Sequence, residues 1–186
     1  PMSREQKPDR ERPRLLAQGP QHRTSKEPRL TVTLQEVRSP RIRVMWVYDN
    51  MVSMQAGVVE SGRTIFLYDR NQKFIGSAIY NENSRIRARI YSLEHEFFDR
   101  AYLERAIKTA LERRRTIFEP EDSFRVVYSD ADFVPGLIVD KIGSVLVVQA
   151  LTLAVEKMRE AILDILRNLL SPSGIVERRD CPVREK

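Results

Sequence analysis

Apolar and polar residues alternate in several short runs of the first half of the chain, and a two-residue period predicts β-strands. The runs are TVTL (31–34), RIRVMWVY (41–48), TIFLYD (64–69) and KFIGSAIY (73–80). The turn residues Asp69-Arg70-Asn71-Gln72 follow the third run and predict a hairpin. We therefore expect a small β-barrel over residues 29–91.

A helical period replaces this alternation after Ser92. Between residues 97 and 118, apolar residues recur every three or four positions. Acidic residues lie near the start of this segment and Arg113 to Arg115 near its end, as the helix dipole favours. Strands are predicted at 124–128, 136–143, 144–152 and 174–178, with a second helix at 153–170. Residues 92–186 thus predict an α+β domain, and the whole chain is mainly β plus α+β.

The N-terminal segment has a different composition and an uneven charge. Residues 1–28 are rich in Arg, Pro, Gln and Glu and contain one short apolar island, so we expect a disordered basic tail. The chain carries a formal charge of +6, and residues 1–43 hold 11 Lys/Arg against 5 Asp/Glu. This excess favours an anionic partner, nucleic acid before membrane, although a solvated tail that binds nothing explains it equally well.

Several classes of chemistry are disfavoured by residue type. One cysteine, Cys181, rules out an intramolecular disulfide, and with only two histidines a protein-built metal site is not expected. No base accompanies Cys181, so it is interpreted as a bystander rather than a nucleophile. The seven glycines form no phosphate-binding G-x-G-x-x-G loop. No membrane span or secretory signal is found, so we expect a cytoplasmic protein that does no chemistry alone.

The segment NENSRIRARIYS (81–92) contains the strongest candidate site. In a strand, Arg85, Arg87 and Arg89 would share one face, while Ile86, Ala88 and Ile90 would face the core. Three guanidinium groups on one face repel one another unless anions lie opposite them, and arginine suits phosphate because its planar fork donates two hydrogen bonds. The alternative is a solvated face neutralised by acids of a neighbouring strand.

Other residues give weaker signals. Arg113 and Arg114 could contact nucleic acid, or could simply stabilise a helix end. Aromatic residues of the β-rich part could stack on unpaired bases or fill the core; they are Trp46, Tyr48, Phe66, Tyr68 and Tyr80. The carboxylates of Asp130, Asp132 and Asp140 could serve acid–base or metal chemistry, but Ser129–Asp132 also has the composition of an ordinary turn.

Four segments, in order, resemble a known family. They are YDRNQKFIGSAIYNENSRIRARIYS, the helix end LERRR, VVYSDADFVPGLIVDKIGSVLVVQALT and IVERRDCPVREK. Together they resemble the front part of the PUA-domain rRNA large-subunit cytosine-C5 methyltransferases, which use S-adenosylmethionine (SAM). Two positions depart from the family pattern: Arg43-Val44-Met45 replaces Gly-His-Pro before Trp46, and Phe133-Val134 replaces Gly-Leu.

The resemblance implies an architecture and a role. It implies a PUA-like barrel, then a middle domain of β-β-helix-β-β type over residues 92–186, without the family's SAM-binding methyltransferase domain. On that basis we expect a truncated chain, inactive alone, that binds rRNA and positions it during rRNA processing. The residues predicted to contact RNA are Arg85, Arg87, Arg89, Arg113, Arg114, Lys73 and Tyr80. The alternative is a scaffold whose arginines pair with its own acids; whether the chain forms a homodimer is left open.

Overall fold

The computed structural model of the protein describes residues 28–32, 45–57 and 59–179. Within them the chain forms ten strands and three α-helices, arranged around two sheets. The predicted tail, apart from Pro28, lies outside the described residues, and so does Cys181. Among the described residues, no helix is both long and apolar enough to span a bilayer.

The first sheet contains the six strands that precede Leu93. They are β1 (Arg29–Val32), β2 (Trp46–Tyr48), β3 (Val52–Ala56), β4 (Thr64–Tyr68), β5 (Phe74–Tyr80) and β6 (Ile86–Ser92). Their order across the sheet is β2-β6-β5-β4-β1-β3, with β1 parallel to β4 and all other neighbours antiparallel.

Within the described residues this first sheet is open, so the expected small PUA-like barrel is not closed there. Its outer strands, β2 and β3, do not pair with each other there. Strand β2 has three residues, and four of the five residues of β3 are exposed. The two outer strands therefore offer each other little apolar surface to bury.

The predicted hairpin between β4 and β5 is confirmed. The Asp69 carboxylate accepts hydrogen bonds from the backbone N–H groups of Asn71 and Lys73, both at 2.8 Å. Gln72 has a φ of 62°, the left-handed conformation that tight turns require. All five residues of β4 are buried, because this strand is covered on both faces. This hairpin is the rigid centre of the first sheet.

The second unit begins with a helix and contains four strands. Its elements are α1 (Arg100–Arg115), β7 (Phe124–Tyr128), β8 (Leu137–Ile142), β9 (Val145–Ala150), α2 (Leu153–Lys157), α3 (Arg159–Leu170) and β10 (Gly174–Arg178). The sheet order is β10-β9-β8-β7, with β10 parallel to β9. This order differs from the expected β-β-helix-β-β type. The run β8-β9-helix-β10 is present, but α1 and β7 precede it.

Local structure accounts for the start of α1 and for the break between α2 and α3. The Asp99 side chain caps α1 by accepting a hydrogen bond from the Tyr102 backbone N–H at 2.9 Å. The predicted second helix is interrupted at Met158, whose φ of −98° and ψ of 9° separate α2 from α3. The buried face of α3 is apolar at helical spacing, and its buried residues are Ile162, Leu163, Ile165 and Leu166.

The two units share a core. The larger hydrophobic cluster lies between α1, α3 and the second sheet, yet it also contains Ile79 of β5 and Tyr91 of β6. The Tyr102 hydroxyl of α1 donates to the Tyr91 carbonyl at 2.8 Å. Lys157 of α2 donates to the Ser61 carbonyl, also at 2.8 Å. The first sheet is thus held against the helices by apolar packing and by hydrogen bonds.

Candidate nucleic-acid interface

The arginine run 85–89 does not form one continuous strand face. Arg85 precedes the first residue of β6. Pairing with β2 matches Val47 to Ala88 and Tyr48 to Ile86, so Arg87 is the extra residue of a bulge. As a result Ile86 lines the same small cleft as Arg89. The predicted separation of all three arginines from all three apolar residues is therefore wrong; it holds for Ala88 and Ile90, which lie in the core of the first sheet.

Arg85 and Arg87 are the accessible cations of this run. Arg85 is exposed and Arg87 is half-buried. Their backbone carbonyls are fixed by hydrogen bonds from the N–H groups of Asp49 and Asn81, each at 3.0 Å. Neither guanidinium forms an ion pair or side-chain hydrogen bond within the part of the chain that the structure describes. Both side chains are thus positioned by the sheet and available to an anion.

Arg89 lies between the two units. Its guanidinium carbon lies 5.2 Å from the centroid of the Trp46 ring, a cation–π contact. The Trp46 indole N–H in turn donates to the Asp130 carboxylate at 3.0 Å. Arg89 also lines the cleft between the first sheet and the residues that begin α2. The prediction of an outward-facing Arg89 is therefore wrong, because this side chain supports an aromatic ring at the junction.

Arg113 and Arg114 both pair with one buried carboxylate. Asp132, whose side chain is 1% exposed, accepts from Arg113 at 2.9 Å and from both terminal nitrogens of Arg114 at 2.7 and 2.6 Å. It also accepts from the Tyr128 backbone N–H at 2.7 Å. Arg114 additionally donates from Nε to the Arg125 carbonyl at 3.1 Å. These contacts give both arginines a structural role, and half of the Arg113 side chain stays exposed, so their contact with RNA stays a prediction.

Lys73 and Tyr80 have opposite environments. Lys73 is exposed beside the β4–β5 hairpin, on the first sheet. Tyr80 is 4% exposed and belongs to the core of the first sheet, and its hydroxyl donates to the Gln55 side chain at 3.0 Å. Tyr80 therefore cannot stack on a base, and its predicted role in RNA contact is wrong.

The aspartates singled out in the sequence serve structural contacts. Asp140 accepts two hydrogen bonds from Arg125, at 2.7 and 3.0 Å. This bond raises the pKa of Arg125 further, because the charged guanidinium is the form that donates. No group of three or more acidic, histidine or cysteine side chains within the described ranges could hold a metal ion. Asp132 and Asp140 thus pair with arginines, whereas Asp130 accepts hydrogen bonds from Trp46 and Ser129.

Two of the five aromatic side chains singled out in the sequence are exposed. Trp46 is 39% exposed and Tyr48 is 40% exposed, whereas Phe66 and Tyr68 are buried. Both exposed rings lie on β2, on either side of the fully buried Val47. The alternation in MWVY contained this signal. The sequence did not show that β2 is an outer strand. Because it is one, the face that carries the two rings stays partly in solvent.

The junction between the units contains two buried tyrosines, Tyr91 and Tyr102. Burial raises the pKa of the Tyr91 and Tyr102 hydroxyls well above their usual range. On the surface, the hydrogen bond from Lys157 lowers the pKa of the Glu60 carboxyl. Tyr91 and Tyr102 thus stay neutral over the physiological range and act as hydrogen-bonding groups rather than as acids.

Known proteins share both the sequence and the fold. Residues 30–93 match the family described as PUA-like domain. Over 162 residues the chain is 32% identical to ribosomal RNA large subunit methyltransferase I of Klebsiella pneumoniae (strain 342), covering 86% of the chain and 40% of the relative. It is 33% identical over 144 residues to the protein of that name from Pseudoalteromonas translucida (strain TAC 125), covering 76% and 36%. The chain contains a PUA-like domain and is homologous to these methyltransferases.

Solved structures support the fold. A candidate SAM-dependent methyltransferase from Streptococcus mutans superposes with a TM-score of 0.66 at 15% identity, over 81% of this chain and 40% of that one. A candidate methyltransferase solved in complex with SAH gives a TM-score of 0.65 at 13% identity, over 85% and 42%. The chain spans about 40% of the length of the Klebsiella relative and of both solved proteins.

Proposed function

We propose that this chain is the RNA-binding part of a SAM-dependent rRNA cytosine-C5 methyltransferase and that it positions rRNA for a catalytic domain outside this sequence. The observation that carries the proposal is a PUA-like domain with two unpaired, sheet-positioned arginines, in a chain homologous to rRNA methyltransferases. The proposed partner is rRNA, and the proposed compartment is the cytoplasm.

Phosphate is the group that these arginines suit. A guanidinium donates two parallel hydrogen bonds to phosphate, and each neutralised phosphate releases counterions. Such contacts give affinity and register rather than sequence choice. Arg85 and Arg87 would therefore hold the RNA backbone against the first sheet, and Lys73 adds charge to the same sheet.

SAM is proposed as the cofactor of the whole protein and not of these residues. A SAM site of the dinucleotide-binding kind needs a glycine-rich loop between a strand and a helix. The glycines of this chain lie at 19, 57, 62, 76, 136, 143 and 174, so none forms G-x-G-x-x-G. The residues present do not fit the cofactor, and we assign no step of methyl transfer to them.

The scaffold alternative receives support from one part of the molecule. Arg113 and Arg114 pair with Asp132, as a scaffold with internally paired arginines requires. Arg85 and Arg87 lack such partners within the described residues. A surface of this kind favours a polyanion over a neutral protein partner.

The test is a salt titration of the 186-residue chain with fragments of large-subunit rRNA. The double variant Arg85→Ala/Arg87→Ala should bind more weakly, and the slope of log affinity against log salt should fall by about 2, since each phosphate contact contributes about 1. The matched control is Lys108→Ala/Arg115→Ala, which removes the same charge from exposed positions of α1. Equal slopes for both double variants would refute the proposal.

A further inference from the structure

We propose that Trp46 and Tyr48 form a stacking platform for two neighbouring unpaired RNA bases. This inference rests on the proposed function and adds the class of RNA: single-stranded or locally opened rather than duplex. Bases in a duplex are covered by their neighbours, so only unpaired bases can stack on protein aromatic rings. The three-residue strand β2 carries both rings.

The sheet presents the two rings together. Val47 is fully buried opposite Ala88, so its neighbours in sequence lie on the other face of β2. Trp46 and Tyr48 keep 39% and 40% of their surface exposed there. Large aromatic side chains contribute most to stability when buried, so two half-exposed rings on one short strand indicate a binding surface.

The Trp46 ring is held in one orientation before any ligand binds. Its indole N–H bonds to Asp130, and the Arg89 guanidinium lies over the ring at 5.2 Å. Both partners belong to elements that are fixed by the shared core. A ring fixed in advance loses little side-chain entropy on binding, which favours affinity.

The spacing of the two strand positions favours unpaired RNA. Alternate residues along a strand are about 6.6 Å apart. Successive stacked nucleotides rise about 3.4 Å per step, so two neighbouring bases can occupy both rings only when they are pulled apart from each other. Duplex RNA resists that separation, whereas a loop or bulge allows it.

One accessible cation lies beside the Tyr48 end of the platform. The Asp49 N–H binds the Arg85 carbonyl at 3.0 Å, which brings the unpaired Arg85 next to the strand end that carries Tyr48. Two carboxylates adjoin the rings, Asp49 and Asp130, and both accept internal hydrogen bonds, at 2.8 Å from the Asn50 N–H and at 3.0 Å from Trp46. A base on the Tyr48 ring would thus have the Arg85 guanidinium available for its phosphate.

Trp46 is the single tryptophan of the chain, so its fluorescence reports directly on this surface. The experiment titrates the 186-residue chain with a single-stranded oligoribonucleotide and with a blunt-ended duplex of two complementary strands of the same length. Stacking predicts quenching by the single strand at concentrations at which the duplex has little effect. Equal quenching by both RNAs would overturn the inference.

Variants are measured by anisotropy of a labelled single strand. Trp46→Ala and Tyr48→Ala should each weaken binding roughly five- to hundred-fold, because stacking contributes about 1–3 kcal/mol per base. Tyr48→Ala is the safer variant because, unlike Trp46, the Tyr48 side chain forms no hydrogen bond to the second unit within the described residues. Its salt slope should stay unchanged. The control is Phe118→Ala, a 37% exposed ring in the second unit, which should bind like the parent chain. Wild-type affinity of Tyr48→Ala would overturn the platform.

The two proposals fail in different ways. If the chain binds RNA with an Arg85/Arg87-dependent salt slope but no RNA quenches Trp46, the platform is refuted and RNA positioning stands. If no RNA binds at all, both are refuted. Quenching by a proline-rich peptide and not by RNA would assign the surface to a protein partner, since aromatic grooves also bind polyproline helices.

Discussion

The two arginine-rich runs of this chain look alike in sequence and differ in what surrounds them. Arg113 and Arg114, at the end of α1, meet the buried carboxylate of Asp132. Arg85 and Arg87, beside and within β6, meet no carboxylate in the described residues. The comparison shows that the density of arginine in a sequence does not reveal its role. The position of the nearest acid in the fold does.

The largest expected effect comes from removing the shared acid. Asp132→Ala leaves two guanidinium groups and the Tyr128 N–H without their acceptor, so the free energy of unfolding should fall by about 3 kcal/mol. Urea unfolding measures this. The control Asp164→Ala removes a carboxylate that is 51% exposed and paired with Arg167, and should cost less than about 1 kcal/mol. Similar losses for both variants would show that the Asp132 cluster is not structural.

The next effect separates geometry from charge at Arg114. Arg114→Ala should lower the free energy of unfolding by about 2 kcal/mol, because a bidentate, charge-assisted pair to a buried acid is lost. Arg114→Lys should recover only part of it, since an ammonium cannot reproduce the planar fork. Thermal or urea unfolding checks both variants. Full recovery by lysine would mean that charge alone suffices there.

A third test concerns the hydrogen bonds that the Tyr102 hydroxyl forms at the junction between the two units. The Tyr102 hydroxyl lies 2.8 Å from the Tyr91 carbonyl oxygen and 2.6 Å from that of Phe133, the residue after Asp132. Tyr102→Phe should therefore lower the free energy of unfolding by about 1–2 kcal/mol, as expected for a buried hydrogen bond. A loss smaller than that of an exposed control such as Tyr128→Phe would contradict the role.

Tyr102 should also make the free energy of unfolding depend on pH. Burial raises the pKa of Tyr102 above its ordinary value of 10.0, so the folded protein keeps a proton that the unfolded chain releases. Its contribution is complete below about pH 10 and is lost as the pH rises through the folded pKa. Between pH 8 and pH 11, the free energy of unfolding should fall less steeply with pH in Tyr102→Phe than in the parent chain. Part of the slope should remain, because the pKa of Tyr91 is raised in the same way.

The smallest effect on stability is expected at the other arginine run. Arg85→Ala/Arg87→Ala should change the free energy of unfolding by less than about 0.5 kcal/mol, because surface side chains away from packed or paired features contribute little. The same variant should show the largest change in RNA salt slope. A loss of stability comparable to that of Arg114→Ala would remove the distinction between the two runs.

Much of the secondary structure could be predicted from local pattern. The strands at 64–68, 74–80 and 124–128 and the helix capped by Asp99 follow from hydrophobic period and turn chemistry, which act within a few residues. The break at Met158 was missed, because the apolar period continues through it. The open first sheet was missed too, because strand order depends on contacts far apart in sequence.

The candidate site was harder to predict for the same reason. The bulge at Arg87 appears only when β6 is paired with β2, and it reverses which neighbours share a face. Asp132 is 19 and 18 positions away from Arg113 and Arg114, so their pairing leaves no local signal. Tyr80 and Tyr48 are both strand tyrosines, and only their positions in the sheet separate a core residue from an exposed one.

The shared core also has a consequence for anyone who wishes to isolate the PUA-like domain. Ile79 and Tyr91 belong to the first sheet, but their side chains complete the hydrophobic cluster of the second unit. A fragment that stops at residue 93, where the family match ends, would lack α1 and α3 and would expose both side chains to water. The homology boundary is therefore a poor place to truncate, and melting of the intact chain should follow a single cooperative transition.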